Sequence, residues 1–160
     1  MATAADKLAA RYDRIASQLE ELLDQGPKQT DDPIARMATA CALLSAKMPH
    51  FFWTGFYLLK EGKLVVGPYQ GPLACAVLPG PEGVCWAAVQ EKATVVVPDV
   101  HAFPGHVACD SRSQSEIVVP LREPAGNVIG VLDVDADQPD AFGPADQAGL
   151  EKITAWIMGH

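Results

Sequence analysis

The sequence predicts a single α+β domain: a central, mainly antiparallel sheet flanked by helices at its N- and C-terminal ends. Three observations carry this. Apolar residues recur at helical spacing in the first quarter of the chain and again at its end. Runs of strand length, rich in β-branched and aromatic residues, fill the middle between Gly- and Pro-rich turns. With 160 residues, 49% of them hydrophobic, the chain is long enough for one core and too apolar to be disordered. Helices at both ends with strands between them give the α+β order.

The elements follow in turn. Leu8, Tyr12, Ile15, Leu19 and Leu22 form one helical stripe, stopped by Gly26 and Pro27. Asp32 reads as an N-cap with Pro33 at the first helical position. Ile34, Met37, Cys41, Leu44 and Met48 then form a second stripe, ended by Pro49. Residues 1–48 are thus a helical pair, and residues 49–160 hold the sheet, two loops and a last helix. Residues 51–59 change to strand period, and Gly62 turns the chain into 63–66. Residues 67–83 read as a long loop, 84–90 as a short helix and 94–97 as a strand. A second loop spans 99–115. Strands at 116–121 and 128–135 flank the turn Glu123, Pro124, Ala125, Gly126 and read as a hairpin. Gly143 and Pro144 open the last helix, with Leu150, Ile153 and Ile157 on one face and Asp146 near its start.

Twelve Lys and Arg against 20 Asp and Glu give a net charge of −8. That disfavours nucleic acid and anionic membranes, which select positive charge. No apolar run approaches a membrane span, and residues 1–7 lack the apolar core of a signal peptide. The expectation is a cytoplasmic protein whose four cysteines, Cys41, Cys75, Cys85 and Cys109, are thiols. None forms a CxxC pair. Cys41, inside a helical stripe, reads as a buried small hydrophobe.

The chemistry gathers around the two loops. Trp53 and Tyr57 share one face of the first strand, and Asp133 and Asp135 share one face of the last. Glu116 opens the strand expected to pair with the latter. The three carboxylates and two aromatics together suit a small ammonium-bearing ligand; the plain alternative is exposed acids and core aromatics. His101, His106, Cys109 and Asp110 are donor types zinc accepts, but the spacing matches no common zinc pattern, so no metal is expected. Cys109 reads better as a reactive thiol, favoured by His106 and Arg112 and opposed by Asp110. From the other loop, either Cys75 or Cys85 could close a disulfide on it, and inert thiols are the alternative.

Several segments carry a resemblance: Phe52-Trp53-Thr54-Gly55-Phe56-Tyr57, Gly67-Pro-Tyr-Gln-Gly-Pro-Leu-Ala-Cys75, Gly83-Val-Cys85, the run from Val97 to Val119 around Cys109, and Leu132-Asp133-Val134-Asp135. From about Pro49 onward the chain resembles the free methionine-(R)-sulfoxide reductases, which are built on a single GAF domain. The resemblance implies a GAF-like fold over residues 1–160, no cofactor, and thioredoxin-recycled reduction of free methionine-(R)-sulfoxide in the response to oxidative stress. It implies Cys109 as nucleophile, Cys75 as resolving cysteine and Cys85 as an auxiliary or alternative one. It further implies Trp53, Tyr57, Glu116, Asp133 and Asp135 as substrate-binding residues, with Glu116 or a neighbouring Asp as the acid. Residues 78–82 and Trp86 depart from the family pattern around Cys85. The resemblance and the leading amphipathic helix suggest a homodimer. The alternatives are a non-catalytic GAF module that binds a small ligand, a zinc hydrolase and a dimerisation module.

Overall fold

A computed structural model describes residues 1–107 and 109–160. Helices α1 (Ala4–Leu23) and α2 (Pro33–Lys47) lead into strands β1 (Trp53–Lys60), β2 (Lys63–Gln70) and β3 (Val77–Leu78). Helix α3 (Val84–Glu91), strand β4 (Val95–Val97) and a 3-10 turn (Val100–Ala102) follow, then β5 (Ser115–Arg122), β6 (Val128–Ala136) and α4 (Pro144–Ile157). The six strands lie in the order β3-β2-β1-β6-β5-β4, every neighbouring pair antiparallel.

The strand period of two sorts the sheet into two faces. Phe56, Ile117, Val119, Leu132 and Val134 point into a core shared with α1, α2 and α4. Trp53, Tyr57, Val97, Val118 and Val131 point the other way, into a second cluster with Val84, Cys85 and Ala88 of α3. Three helices therefore cover one face completely. The other is covered by one short helix and the two cysteine-bearing loops, which leaves room for a site.

Local sequence explains the helix starts. Thr3 caps α1: its hydroxyl accepts from the Asp6 N–H, and the Asp6 carboxylate accepts from the Thr3 N–H. The Asp32 carboxylate accepts from the Ala35 N–H, with Pro33 at the first position of α2. The stripes shift at two points. Leu22 is exposed, and Leu23 takes the buried position one turn after Leu19. Ile34 is exposed as well, and the helix buries Arg36, whose guanidinium donates to Thr30 O, Trp156 O and Asp24 Oδ1.

The first loop is shorter than its composition suggests. Residues 67–70 continue β2, since Tyr69 pairs with Gly55 and Gln70 with Thr54 across a bulge, and Val77–Leu78 adds an edge strand. Pairing with β1 overrides the Gly and Pro signals there. Trp86 donates its indole N–H to Leu78 O, tying the unusual 78–82 stretch to α3.

Asp146 lies on α4 as expected, but it is not a neutral surface acid: it is 1% exposed. It accepts from the Tyr12 hydroxyl at 2.7 Å and the Gly143 N–H at 2.9 Å, and His50 Nε2 lies 2.8 Å away. Burial raises its pKa, but His50, the Gly143 N–H and the Tyr12 hydroxyl together outweigh that and hold it below the usual value. Its stabilisation is therefore complete above the ordinary carboxylate pKa of about 3.9 and is lost as the pH falls through the lower folded value. Asp146→Ala, which also strands the Tyr12 hydroxyl, is expected to cost about 2–3 kcal/mol at pH 7. Thermal melts at pH 7 and pH 3 should show a large deficit that shrinks in acid; an unchanged melting temperature at pH 7 rules this account out.

Candidate active site

The strand register assembles the acids. Asp135 of β6 sits between Trp53 of β1 and Glu116 of β5, and one row along, Asp133 sits between Gly55 and Val118. All three carboxylates thus share the open face of the sheet, beside the aromatic residues of β1. Each sits where the strand pattern puts it, and the hairpin between β5 and β6 brings Glu116 alongside Asp135.

Gly55 makes the aromatic wall possible. A Cβ there would stand 2.5 Å from Trp53 Cη2. The missing side chain lets the indole lie across the strand, stacked on Tyr57 at 5.8 Å and Tyr69 at 5.3 Å between centroids. Neither Gly55 nor Tyr69 stands out as a site residue in the sequence; the available signal is a glycine inside an aromatic strand, which marks close approach. Trp53 and Tyr57 also anchor the first loop. The Trp53 indole N–H donates to Pro72 O at 3.1 Å, and the Tyr57 hydroxyl donates to Cys75 O at 2.9 Å.

Cys75 and Cys109 form a disulfide, with Cα atoms 5.5 Å apart. Two of the four expected thiols are therefore oxidised, and Cys41 and Cys85 are free and buried. Cys41 behaves as the sequence suggests: burial pushes its thiol up to about 12. Cys85 is not in a loop but in the first turn of α3, above the acids. Its Sγ and one oxygen each of Glu116 and Asp133 lie within 4.8 Å of one another, close enough to hold a cation. The cavity is bounded by these residues together with Trp53, Tyr57, Asp135, His106 and Cys109.

The electrostatics follow from burying several acids together. Burial, then Asp133 and Asp135, pushes the Glu116 carboxyl well above its usual value. Burial raises Asp133, with Glu116 and Cys85 pulling the other way. Asp135 is pushed well above the carboxylate range by burial, then by Asp133. Burial, with Asp133 and Glu116 beside it, pushes the Cys85 thiol far up. Like charges this close in a buried site favour holding protons, so an acid here stays neutral beyond the ordinary carboxylate range. Asp133 Oδ1 is buried and has no hydrogen-bond partner, so it can receive a donor from a ligand.

Around Cys109 the charges differ from the sequence expectation. Arg112 does not act as a free cation for the thiol. Its guanidinium donates to both Asp110 oxygens, at 3.0 and 2.8 Å, and lies over the Phe52 ring. These bonds pull Asp110 down to about 2. The opposing influences of Asp110 and Arg112 are thus spent on each other. His106 Nε2 lies 3.9 Å from Glu116 Oε1, and burial, then His101, keeps the ring below its usual pKa.

This sheet order, with helices packed on one face and a site on the other, defines the class. The chain belongs to the GAF domain family, whose model matches residues 32–157. It is 45% identical over 144 residues to GAF domain-containing protein A of Dictyostelium discoideum, covering 89% of this chain and 87% of that protein. It is 43% identical over 124 residues to the free methionine-R-sulfoxide reductase of Escherichia coli, covering 78% and 74%. The solved free methionine-R-sulfoxide reductase from Neisseria meningitidis, in complex with its substrate, superposes with a TM-score of 0.84 at 36% identity, covering 99% of this chain and 90% of that one. Among GAF domains, then, its family is that of the free methionine-R-sulfoxide reductases. No described helix is long and apolar enough to cross a membrane.

Proposed function

We propose that the protein reduces free L-methionine-(R)-sulfoxide to methionine. The observation that carries this is the Cys75–Cys109 disulfide beside a cavity that also holds three buried carboxylates. In the proposed cycle the Cys109 thiolate attacks the sulfoxide sulfur, and the oxygen passes to Cys109 as methionine leaves. Glu116, or a neighbouring Asp, gives the departing oxygen its proton. Cys75 then condenses with the Cys109 sulfenic acid, forming the S–S bond and releasing water. Thioredoxin returns both thiols by exchange. Cys85, buried among acids, is a poor thiolate and takes an auxiliary part.

Trp53 and Tyr57 bound the methyl-sulfoxide end, and Asp133 and Asp135 receive the ammonium. The free amino acid is preferred because a residue within a polypeptide has no α-ammonium for these acids. No metal or other cofactor takes part. The protein works in the cytoplasm, under oxidative stress, as a homodimer; a monomer mass by light scattering at micromolar concentration counts against the dimer.

With thioredoxin present, methionine release from the R epimer is expected, with little from the S epimer. Equal rates on both epimers, or a preference for a sulfoxide inside a peptide, count against the pocket. Binding without turnover favours a ligand-binding GAF module.

A further inference from the structure

Recycling requires a second molecule to reach the disulfide, and two exposed apolar side chains stand beside it in the chain. Cys109 is exposed, whereas Cys75 is half-buried and its carbonyl is held by the Tyr57 hydroxyl. Leu73 is 87% exposed and Val107 47% exposed. Apart from Met1, Leu73 is the most exposed large apolar side chain among the described residues. Each stands two residues before a cysteine of the disulfide, and both border the cavity that holds Cys109. The charged pair beside Cys109, Asp110 and Arg112, is bonded to itself.

We infer that Leu73 and Val107 form an apolar docking rim that seats a dithiol protein reductant with its attacking thiolate at Cys109 Sγ. This rests on the reductase reading above. The occupant follows from the chemistry at the rim's centre: a disulfide that faces solvent is opened by a thiolate. Two side chains fall far short of the roughly 1,600 Å² of a stable interface and suit the smaller, transient contacts of redox partners.

The exchange balances. The reductant's thiolate bonds to Cys109 Sγ, the Cys75–Cys109 bond breaks, and Cys75 leaves as a thiolate that takes up a proton. The reductant's second thiolate then attacks its own bonded sulfur and releases the Cys109 thiolate. Two electrons pass from dithiol to disulfide.

Two measurements test this. A thioredoxin lacking its second cysteine, mixed with the disulfide form, is expected to be trapped on Cys109 by peptide mass mapping; trapping on Cys75 overturns the proposal. In Leu73→Ser and Val107→Ser, the ratio of thioredoxin-driven to dithiothreitol-driven methionine formation is expected to fall about tenfold. The small reductant needs no rim, so it corrects for any loss in substrate binding. An unchanged ratio, or an equal fall in Leu22→Ser on the distant exposed face of α1, overturns the proposal. Methionine formed with dithiothreitol but not with thioredoxin overturns the proposal and leaves the reductase reading standing. No methionine with either reductant removes the reductase reading and the rim with it.

Discussion

Cys109→Ser is expected to release no methionine even in a single turnover. A serine hydroxyl cannot replace the thiolate as nucleophile at sulfur, so the loss should reach about 10³-fold or more. Cys75→Ser should separate the steps. It keeps one equivalent of methionine release by pre-reduced protein but loses thioredoxin-supported cycling, because the sulfenic acid has no partner thiol. Dimedone labelling of Cys109 after one turnover checks this directly. The structure pairs Cys75 with Cys109 and leaves Cys85 buried beside Glu116 and Asp133. If Cys85→Ser shows the recycling defect and Cys75→Ser does not, the two roles are exchanged. Cys41→Ser, in the core on the opposite side of the sheet, should leave activity close to normal.

Glu116→Gln is expected to lower kcat/KM by about 10²-fold or more, the usual scale for a lost general acid. Asp133→Asn and Asp135→Asn, if they chiefly hold the ammonium, should act mainly on KM. Glu21 on the exposed side of α1 is the comparison, since Asp146 is structural.

Glu116 also links activity to pH and stability. Its folded pKa is raised by burial and then by Asp133 and Asp135, so the proton is retained well past the ordinary carboxylate range. Activity should fall as the pH rises through that raised value, and this limb should vanish in Glu116→Gln. The same raised pKa makes folding less favourable as pH rises above the unfolded value near 4.3. Glu116→Gln should therefore melt higher than wild type at pH 8, while the two converge near pH 4. A variant that loses activity and gains stability identifies an acid strained for function. If the variants at Glu116, Asp133 and Asp135 all match Glu21→Gln in kinetics, the pocket is wrong even where the thiol chemistry holds.

Much of this protein is legible from local pattern. Helical stripes and caps place α1, α2 and α4, because Thr3, Asp32 and Pro33 act within one turn of themselves. Strand alternation puts Asp133 with Asp135 and Trp53 with Tyr57, and the turn at 123–126 makes Glu116 a neighbour of Asp135. Cys109 and its loop stand out by composition, and the motif resemblance supplies the family and the implied Cys75 partner.

Other features depend on contacts between residues far apart in the chain. Residues 67–70 become strand only because β1 offers them partners. Gly55 matters only because Trp53 folds across it from the same strand and Tyr69 meets it from the next. Sequence proximity made Arg112 a candidate to activate Cys109, yet the folded loop turns it onto Asp110. Cys85 joins the acids, and Asp146 joins Tyr12 and His50, through packing across the chain. Backbone period and capping are local, so most of the elements, and the facing of most of their side chains, can be read from the residues alone. Which buried groups share a dielectric, which charges neutralise each other and which cysteine meets Cys109 depend on distant segments brought within a few ångströms.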